Sequence, residues 1–334
     1  MAVSWALSRD ETLEPAAYIR YSIVITVLVY AVVAALVVTQ LAPSVRLRWS
    51  QGPPATSVLM GAAAGAALGG LLLAAVSAQA GHLAPDDRVV LTMSEGDVAH
   101  IAVAVLLTGV CAPVIEEVLF RGLLLESLRR YHSAVAVAVS GVAFAAWHLN
   151  PSALRYYAVL GAILGILYVK RGLACSIAAH AAFNGVLVAA ALAVVLGPST
   201  TVAVGDVSLE APGGWSVETQ TDTGLQLSGP SGASLVVLEL PTASAPTAAT
   251  VLGRIRDGLL TQTMPSVVVD TASTRQTHLP AGDAVEVDVS ADGHRGTMVL
   301  VPLPGRSLDM VFLSGGSMRA QADFDRLVGS VRVG

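Results

Sequence analysis

Two carboxylates and a guanidinium interrupt an apolar region between Pro113 and Gly122, namely Glu116, Glu117 and Arg121. A charge near the centre of a bilayer costs about 2.5–3.5 kcal/mol on insertion scales, so such residues are functional candidates. Pro113 suits the first turn of a helix. On that helix Glu117 and Arg121 are four positions apart and can pair, whereas Glu116 is rotated by about 100° and has no local partner. The pattern predicts a supporting Glu117–Arg121 ion pair and leaves Glu116 free as a general base. A purely structural ion pair near the cytoplasmic surface is the alternative.

Two histidines and an asparagine follow at spacings that favour a shared site. His180 and Asn184 are four positions apart, so on a helix they face the same way. If the chain turns near residues 131–132, Glu116 and His148 lie equally far from the turn and at the same depth on two antiparallel helices. A single histidine on an apolar helix is most often a packed core residue. Together with the glutamate pair, these side chains predict a catalytic site where three helices converge.

The composition indicates that lipid surrounds the elements that carry these residues. Hydrophobic residues make up 54% of the chain and charged residues 13%, against about 25% charged residues in soluble domains. Each apolar run must be a helix, because lipid cannot satisfy backbone polar groups. We therefore predict an N-terminal tail and an all-α polytopic membrane helix bundle of about six transmembrane helices, followed by a soluble α+β domain. The tail is residues 1–20, the membrane domain is residues 21–198, and the apolar runs are residues 21–43, 54–80, 98–115, 133–149, 155–170 and 173–197.

Glycine spacing and loop charge predict how the membrane helices pack and orient. Gly61, Gly65 and Gly69, like Gly161 and Gly165, allow two helix backbones to approach closely, and packing within the protein is favoured over dimerisation. Lysine and arginine lie in alternate loops, which places those loops in the cytoplasm. The N-terminus and the C-terminal domain are then extracytoplasmic.

Residues 199–334 alternate apolar segments with turn signals, as a soluble domain does. Asp292 and Gly293 have the composition of a hairpin turn. This domain shows no catalytic constellation, and the order of its elements resembles PsbP-like domains of exported bacterial proteins. We expect it to bind a protein partner. The predicted strands are 202–209, 234–240, 284–290, 295–302 and 307–313, and the predicted helices are 246–262 and 318–331.

Three short motifs resemble those of one enzyme family. The sequence contains EExxxR from Glu116 to Arg121, FxxxH from Phe144 to His148, and HxxxN from His180 to Asn184. In this order on membrane helices they mark the CaaX protease and bacteriocin-processing (CPBP) family, and the resemblance covers about residues 95–197. It implies an endopeptidase that cleaves a membrane-anchored protein or peptide within the bilayer of a bacterial plasma membrane.

The resemblance also implies roles for the motif residues. Glu116 would take a proton from a water held between it and His148, and His180 and Asn184 would stabilise the oxyanion. Glu117 and Arg121 would hold the helix of Glu116 in place. A second version has Glu116, His148 and His180 as three Zn²⁺ ligands with one position left for water. The sequence leaves the metal-free and zinc mechanisms open.

Composition and motifs also bear on other functional classes. The net charge of −5 gives no reason to expect a nucleic-acid partner. Cys111 and Cys175 are predicted to be apolar helix residues rather than a disulfide or metal motif. A non-catalytic membrane scaffold or immunity protein is the main alternative to a protease. A transporter with Glu116 and His148 as a proton relay is a third hypothesis, but no inverted repeat supports it.

Overall fold

The computed structural model divides the chain into two compact units, Met1–Ala193 and Val194–Gly334. The structure describes residues 15–36, 39, 47–80, 89–91, 93, 98–229, 232–241, 267–291, 294–314 and 318–334.

The first unit is helical, and helices occur in all of the predicted apolar runs. The first helix begins at Pro15, inside the predicted N-terminal tail, and Cys111 and Cys175 are free thiols. The helices are α1 (Pro15–Leu36), α2 (Pro54–Ala80), α3 (98–129), α4 (Ser133–Trp147), α5 (Leu154–Arg171) and α6 (Leu173–Leu196).

Three of the helices in the described part of the chain are long and apolar enough to cross a membrane, in α2, α3 and α6. The apolar stretches of α1 and α4 are shorter, and α5 carries Arg155, Lys170 and Arg171. Large apolar side chains point outward from the unit, for example Leu59 and Leu71 with about 70% and 69% exposure. Such surfaces are stable in lipid rather than in water. The structure therefore supports a membrane-embedded helical part, in which three of the predicted six spans are candidates by length and composition.

The helix α3 is continuous but irregular. Its α-helical parts Val98–Leu106, Ala112–Glu117 and Glu126–Arg129 are separated by π-helical turns at Leu107–Cys111 and Val118–Leu125. Pro113 lies in the first turn of the α-helical part Ala112–Glu117, as predicted, but this part continues the preceding π turn within α3 and does not begin a separate helix. Proline cannot donate a backbone hydrogen bond and its ring disturbs the preceding turn. Wide turns of this kind accommodate such a residue and are frequent at functional sites.

The glycines of α2 allow α2 and α6 to pack backbone against backbone, as their spacing predicts. A Cβ atom added to Gly61 would lie 2.1 Å from the Cys175 carbonyl oxygen, and one added to Gly65 would lie 1.9 Å from the Ala179 carbonyl oxygen. Neither position has room for a side chain. Since His180 follows Ala179 directly, the contact at Gly65 also sets the position of the segment that carries this histidine.

Replacing Gly65 by alanine is expected to destabilise the protein by roughly 1–3 kcal/mol, because α6 must move away from the new methyl group. The melting temperature of the detergent-solubilised protein measures the effect. Gly70→Ala in the same helix is the matched control: its Cβ meets nothing within 4 Å, and alanine is favoured over glycine in a helix by about 0.5–1 kcal/mol. Equal melting temperatures for Gly65→Ala and the wild type would contradict the close packing of α2 and α6.

The second unit contains two antiparallel sheets and a helix, α7 (Met318–Gly329). The smaller sheet has the order β1-β2-β10 and the larger β3-β4-β5-β9-β8-β7-β6. The rings of Phe312 on β9 and Phe324 on α7 stack at 4.4 Å in the core. The strands are β1 (Thr200–Val204), β2 (Val207–Ala211), β3 (Ser216–Gln220), β4 (Gly224–Ser228), β5 (Ser234–Pro241), β6 (Val268–Leu279), β7 (Gly282–Ala291), β8 (His294–Leu303), β9 (Arg306–Leu313) and β10 (Arg332–Val333).

Several predicted elements of this unit need correction. The predicted single strand 202–209 is the hairpin β1–β2, because Gly205 adopts φ +58° and turns the chain. The strands β3, β4 and β6 were not predicted, and the edge strands β3 and β6 are mostly exposed and lack apolar alternation. The helix predicted at 246–262 and the turn predicted at 292–293 lie outside the described residues, although Ala291 pairs with His294 on either side of that turn.

Candidate active site

Four of the predicted site residues line one cavity in the helical unit. Glu116 on α3, His148 at the end of α4, and His180 and Asn184 on α6 surround a space of about 280 Å³. Most of the remaining wall is apolar, and it includes Tyr30 of α1. The structure therefore brings together the three motifs in the way that helical spacing predicts.

Glu117 is fully buried and saturated with hydrogen bonds. Its Oε1 accepts from an Arg121 guanidinium nitrogen at 2.9 Å and from His180 Nδ1 at 3.0 Å. Its Oε2 accepts from the Ser176 hydroxyl. Glu117 is not among the residues that line the cavity. It links α3 to α6 and orients the His180 ring.

Arg121 forms the predicted ion pair with Glu117, and both side chains have 0% exposure. Its other terminal nitrogen donates to the Gly161 carbonyl oxygen of α5 at 2.9 Å. The guanidinium carbon lies 4.6 Å from the centroid of the Phe144 ring of α4, a cation–π contact. One buried arginine thus connects three helices behind the cavity.

Glu116 is buried, with 2% exposure, and its hydrogen-bond donors come from other helices. The Tyr30 hydroxyl donates to Glu116 Oε1 at 2.6 Å, and Trp147 Nε1 donates to the same oxygen at 3.3 Å. Glu116 Oε2 lies 4.0 Å from His180 Nε2. The absence of a partner on its own helix was predicted, whereas these distant donors were not.

The contacts of the two histidines define which ring nitrogens face the cavity side of the site. An ionised carboxylate only accepts hydrogen bonds, so Nδ1 of His180 carries the proton that is donated to Glu117, and Nε2 faces Glu116. His148 Nδ1 donates to the Phe144 carbonyl oxygen at 2.8 Å, which leaves Nε2 as the acceptor in the neutral ring. The His148 ring stacks on Tyr157 with centroids 4.0 Å apart. Both imidazoles are therefore held in defined orientations.

Asn184 is anchored by a carbonyl group that Pro113 leaves without a backbone donor. In the first π turn of α3, the Ala112 N–H bonds to the Leu107 carbonyl oxygen, five positions earlier. The next bond in this pattern would join residue 113 to Thr108, but proline has no N–H. Asn184 Nδ2 donates to the Thr108 carbonyl oxygen at 2.8 Å instead. The second N–H of the amide remains for another acceptor.

The structure adds contacts that the sequence analysis missed. Ser176 precedes His180 by four positions, so helical spacing could have identified it. Trp147 is adjacent to His148, and adjacent residues do not share a helix face, so spacing did not indicate its contact with Glu116. Tyr30 is 86 positions from Glu116 and belongs to no motif. Only the packing of α1 against α3 reveals it.

The predicted zinc ligands do not form a metal-binding arrangement here. Within the described ranges, no group of three His, Cys, Asp or Glu side chains is arranged to hold a metal ion. The hydrogen bonds of Glu116 also argue against a metal ligand, because one carboxylate oxygen already accepts from the Tyr30 phenol and the Trp147 indole. The described residues therefore do not fit a zinc ion in this geometry. A zinc requirement stays an untested prediction.

Comparison with known proteins identifies the central part of the helical unit. Residues 98–186 match the family model described as type II CAAX prenyl endopeptidase, Rce1-like. This range includes all three motifs. No curated protein matches the chain.

Two solved structures resemble part of the chain at a TM-score of 0.30 each. A crystal structure from Bacteroides thetaiotaomicron shares 9% identity and covers 41% of this chain and 48% of its own, so the chain spans about half of that protein. The solution structure of the cyanobacterial PsbP from Synechocystis sp. shares 13% identity and covers 42% of this chain and 95% of its own. These likenesses support no conclusion about fold or function, and the PsbP-like architecture stays a prediction.

Proposed function

We propose that this chain, which carries an Rce1-like CAAX endopeptidase domain consistent with the CPBP family at residues 98–186, is an intramembrane endopeptidase with Glu116 as its general base. The observation that carries the proposal is the buried carboxylate of Glu116 in one cavity with His148, His180 and Asn184. In the described part of the chain, both hydrogen-bond donors to Glu116 reach Oε1. Its Oε2 is the atom that can accept a proton.

The first step is activation of water. A water in the cavity donates one hydrogen bond to Glu116 Oε2 and a second to His148 Nε2, and Glu116 takes the proton as the oxygen attacks the peptide carbonyl carbon. The tetrahedral intermediate then collapses as the C–N bond breaks. Glu116 returns the proton to the leaving amine, so one carboxyl group serves as base and then as acid.

The negative oxygen of the intermediate needs donors that are already in place. Asn184 supplies the amide N–H that the Thr108 carbonyl does not use. His180 is assigned as the second group at this oxygen, because its Nδ1 is held by Glu117 and its Nε2 faces the Glu116 side of the cavity. Glu117 and Arg121 hold α3 and the His180 ring and do not touch the substrate.

The substrate is a membrane-associated protein or peptide, because the site lies in a helical part that is apolar on its outer surface. We propose a bacterial plasma-membrane location with the N-terminus and the second unit on the extracytoplasmic side. The second unit would then bind a protein partner outside the cell. Digestion of the second unit by an added protease, compared between intact cells and spheroplasts, tests this orientation. An extracytoplasmic second unit should be digested in spheroplasts.

Cleavage of a library of membrane-anchored peptides in liposomes, followed by mass spectrometry, tests the proposed activity. The wild type is expected to cut at defined peptide bonds, and His148→Ala is expected to lose that cleavage. His278→Ala, which removes an imidazole with 81% exposure from the second unit, is the matched control and should cleave like the wild type. The same assay with and without a chelator shows whether cleavage requires Zn²⁺.

Two results would contradict the proposal. If His148→Ala cleaves as fast as the wild type, the cavity that contains His148 is not where cleavage occurs. A cellular phenotype of the protein that survives His148→Ala, together with no cleavage by the wild type, would favour the non-catalytic scaffold.

Replacing Pro113 by alanine is expected to lower the cleavage rate roughly tenfold without loss of thermal stability. The new N–H can bond to the Thr108 carbonyl oxygen and compete with Asn184 for it, which weakens the hydrogen bond that holds the amide. A tenfold change corresponds to about 1.4 kcal/mol in the barrier. Alanine is also the better helix residue. Pro54→Ala, at the first position of α2, is the matched control and should leave the rate unchanged. A wild-type rate for Pro113→Ala would show that the Thr108 contact does not position Asn184.

A further inference from the structure

A tyrosine from α1 reaches the centre of the site. Tyr30 has 5% exposure, lines the cavity and donates its hydroxyl to Glu116 Oε1 at 2.6 Å. Helix α1 lies outside the range 98–186 that matches the family model, and Tyr30 belongs to none of the three motifs. The role of α1 therefore has to be argued from its own contacts.

One face of α1 forms a wall of the cavity. Ser22, Thr26 and Tyr30 all line it, at successive intervals of four residues along the helix, and residues at this interval share a face. Tyr30 is the member of this face that bonds to Glu116. Its hydroxyl is thus placed by a whole helix packed on the site rather than by a loop.

Both donors to Glu116 use the same oxygen atom. Tyr30 approaches Oε1 from α1, which precedes Glu116 in the sequence, and Trp147 approaches it from α4, which follows Glu116. Hydrogen bonds to a charged acceptor are stronger than those between neutral groups, and two of them restrict rotation of the carboxylate. Oε2 is then held 4.0 Å from His180 Nε2. That separation is too long for a direct hydrogen bond, so Oε2 stays available to the water held between it and His148.

We propose that Tyr30 is a positioning residue: with Trp147 it engages Oε1 of Glu116, so that Oε2 is the oxygen that takes the proton from water. This inference rests on the proposed function, because it assigns a working oxygen to the proposed base. It makes α1 part of the active site, although the three motifs lie on α3, α4 and α6.

The variant Tyr30→Phe removes only the hydroxyl group. We expect kcat for cleavage of a membrane-anchored peptide to fall roughly 10- to 100-fold, the range for one lost hydrogen bond to a charged group, with KM within about twofold of the wild type. Tyr168→Phe is the matched control: Tyr168 is also fully buried and also donates to a glutamate, Glu126, at 2.9 Å. Its loss should lower thermal stability without changing kcat. A kcat for Tyr30→Phe within twofold of the wild type would overturn the positioning role.

A second measurement separates failure of this inference from failure of the proposed function. In the detergent-solubilised protein, Tyr30→Phe should lower the melting temperature in the wild-type background and have no such effect in a Glu116→Ala background, because the phenol then has no carboxylate to bond. Tyr168→Phe should have the same effect in both backgrounds. If the wild type cleaves no peptide but the Tyr30 effect depends on Glu116, the proposed activity is at fault and the contact stands. If the effect is the same in both backgrounds, Tyr30 does not hold Glu116 and the inference is wrong.

Discussion

Replacing Glu116 by glutamine is expected to lower kcat for peptide cleavage by roughly 10²- to 10⁴-fold, the usual contribution of a general base. Glutamine has the shape of glutamate and can still accept hydrogen bonds from Tyr30 and Trp147 through its carbonyl oxygen. It cannot accept a proton from water. The folded protein should therefore persist at nearly wild-type stability while the chemistry is lost. Single-turnover cleavage in liposomes, alongside the melting temperature, measures both quantities.

A glutamate on the same helix provides the control for this variant. Glu126 accepts hydrogen bonds from Arg129 and Tyr168 and does not line the cavity. Glu126→Gln loses one of the two acceptor oxygens, so it removes hydrogen bonds outside the cavity, and it should still cleave at the wild-type rate. A Glu116→Gln protein that is folded and retains kcat within tenfold of the wild type would exclude Glu116 as the base.

Replacing Arg121 by methionine should destabilise the helical unit by about 3–5 kcal/mol, since it leaves the buried Glu117 carboxylate without its counterion. This loss is a large part of the free energy of unfolding of a typical protein, about 5–15 kcal/mol. We therefore expect little folded protein in the membrane. Lysine is no substitute, because a single ammonium group cannot reproduce the fork that bonds to Glu117 and to the Gly161 carbonyl oxygen. Yield of folded protein and melting temperature in detergent measure the loss.

The pair Glu126–Arg129 is a natural comparison for Glu117–Arg121. It lies on the same helix, but its side chains have 18% and 30% exposure, and exposed pairs contribute under about 1 kcal/mol. Arg129→Met should therefore be mild. Removing both buried charges, in Glu117→Leu with Arg121→Met, should recover part of the stability but not the cleavage, because His180 loses the acceptor of its Nδ1–H. Equal stability of the Arg121→Met and Arg129→Met proteins would contradict a special role for the buried pair.

Local spacing accounts for the features of the site that could be predicted from the sequence. The Glu117–Arg121 pair and the shared face of His180 and Asn184 follow from the helical repeat, which backbone hydrogen bonds between near neighbours impose. The separation of Glu116 from that pair follows from the same repeat. The close packing of α2 was also predictable, because glycines at four-residue intervals on a membrane helix allow another helix backbone to approach closely, here that of α6.

The second unit shows where such reasoning fails. Strands with buried apolar side chains can be predicted from the sequence, and β5, β7, β8 and β9 were predicted from their apolar segments and the turn signals between them. The edge strand β3 has all five residues exposed, so nothing in its composition distinguishes it from a loop. Its strand conformation depends on backbone hydrogen bonds to β4, and these bonds form whatever side chains the residues carry.

Only the tertiary structure decided which groups contact Glu116. Its donors lie 86 and 31 positions away in the chain, and the contact that orients His180 spans 63 positions. Contacts of this kind arise when separate helices pack at particular rotations and depths, which depend on the shapes of all the side chains between them rather than on any local repeat. The amino-acid sequence therefore determined which motif residues share a helix face, whereas the packing of α1, α3, α4 and α6 decided which oxygen of Glu116 accepts the hydrogen bonds of Tyr30 and Trp147.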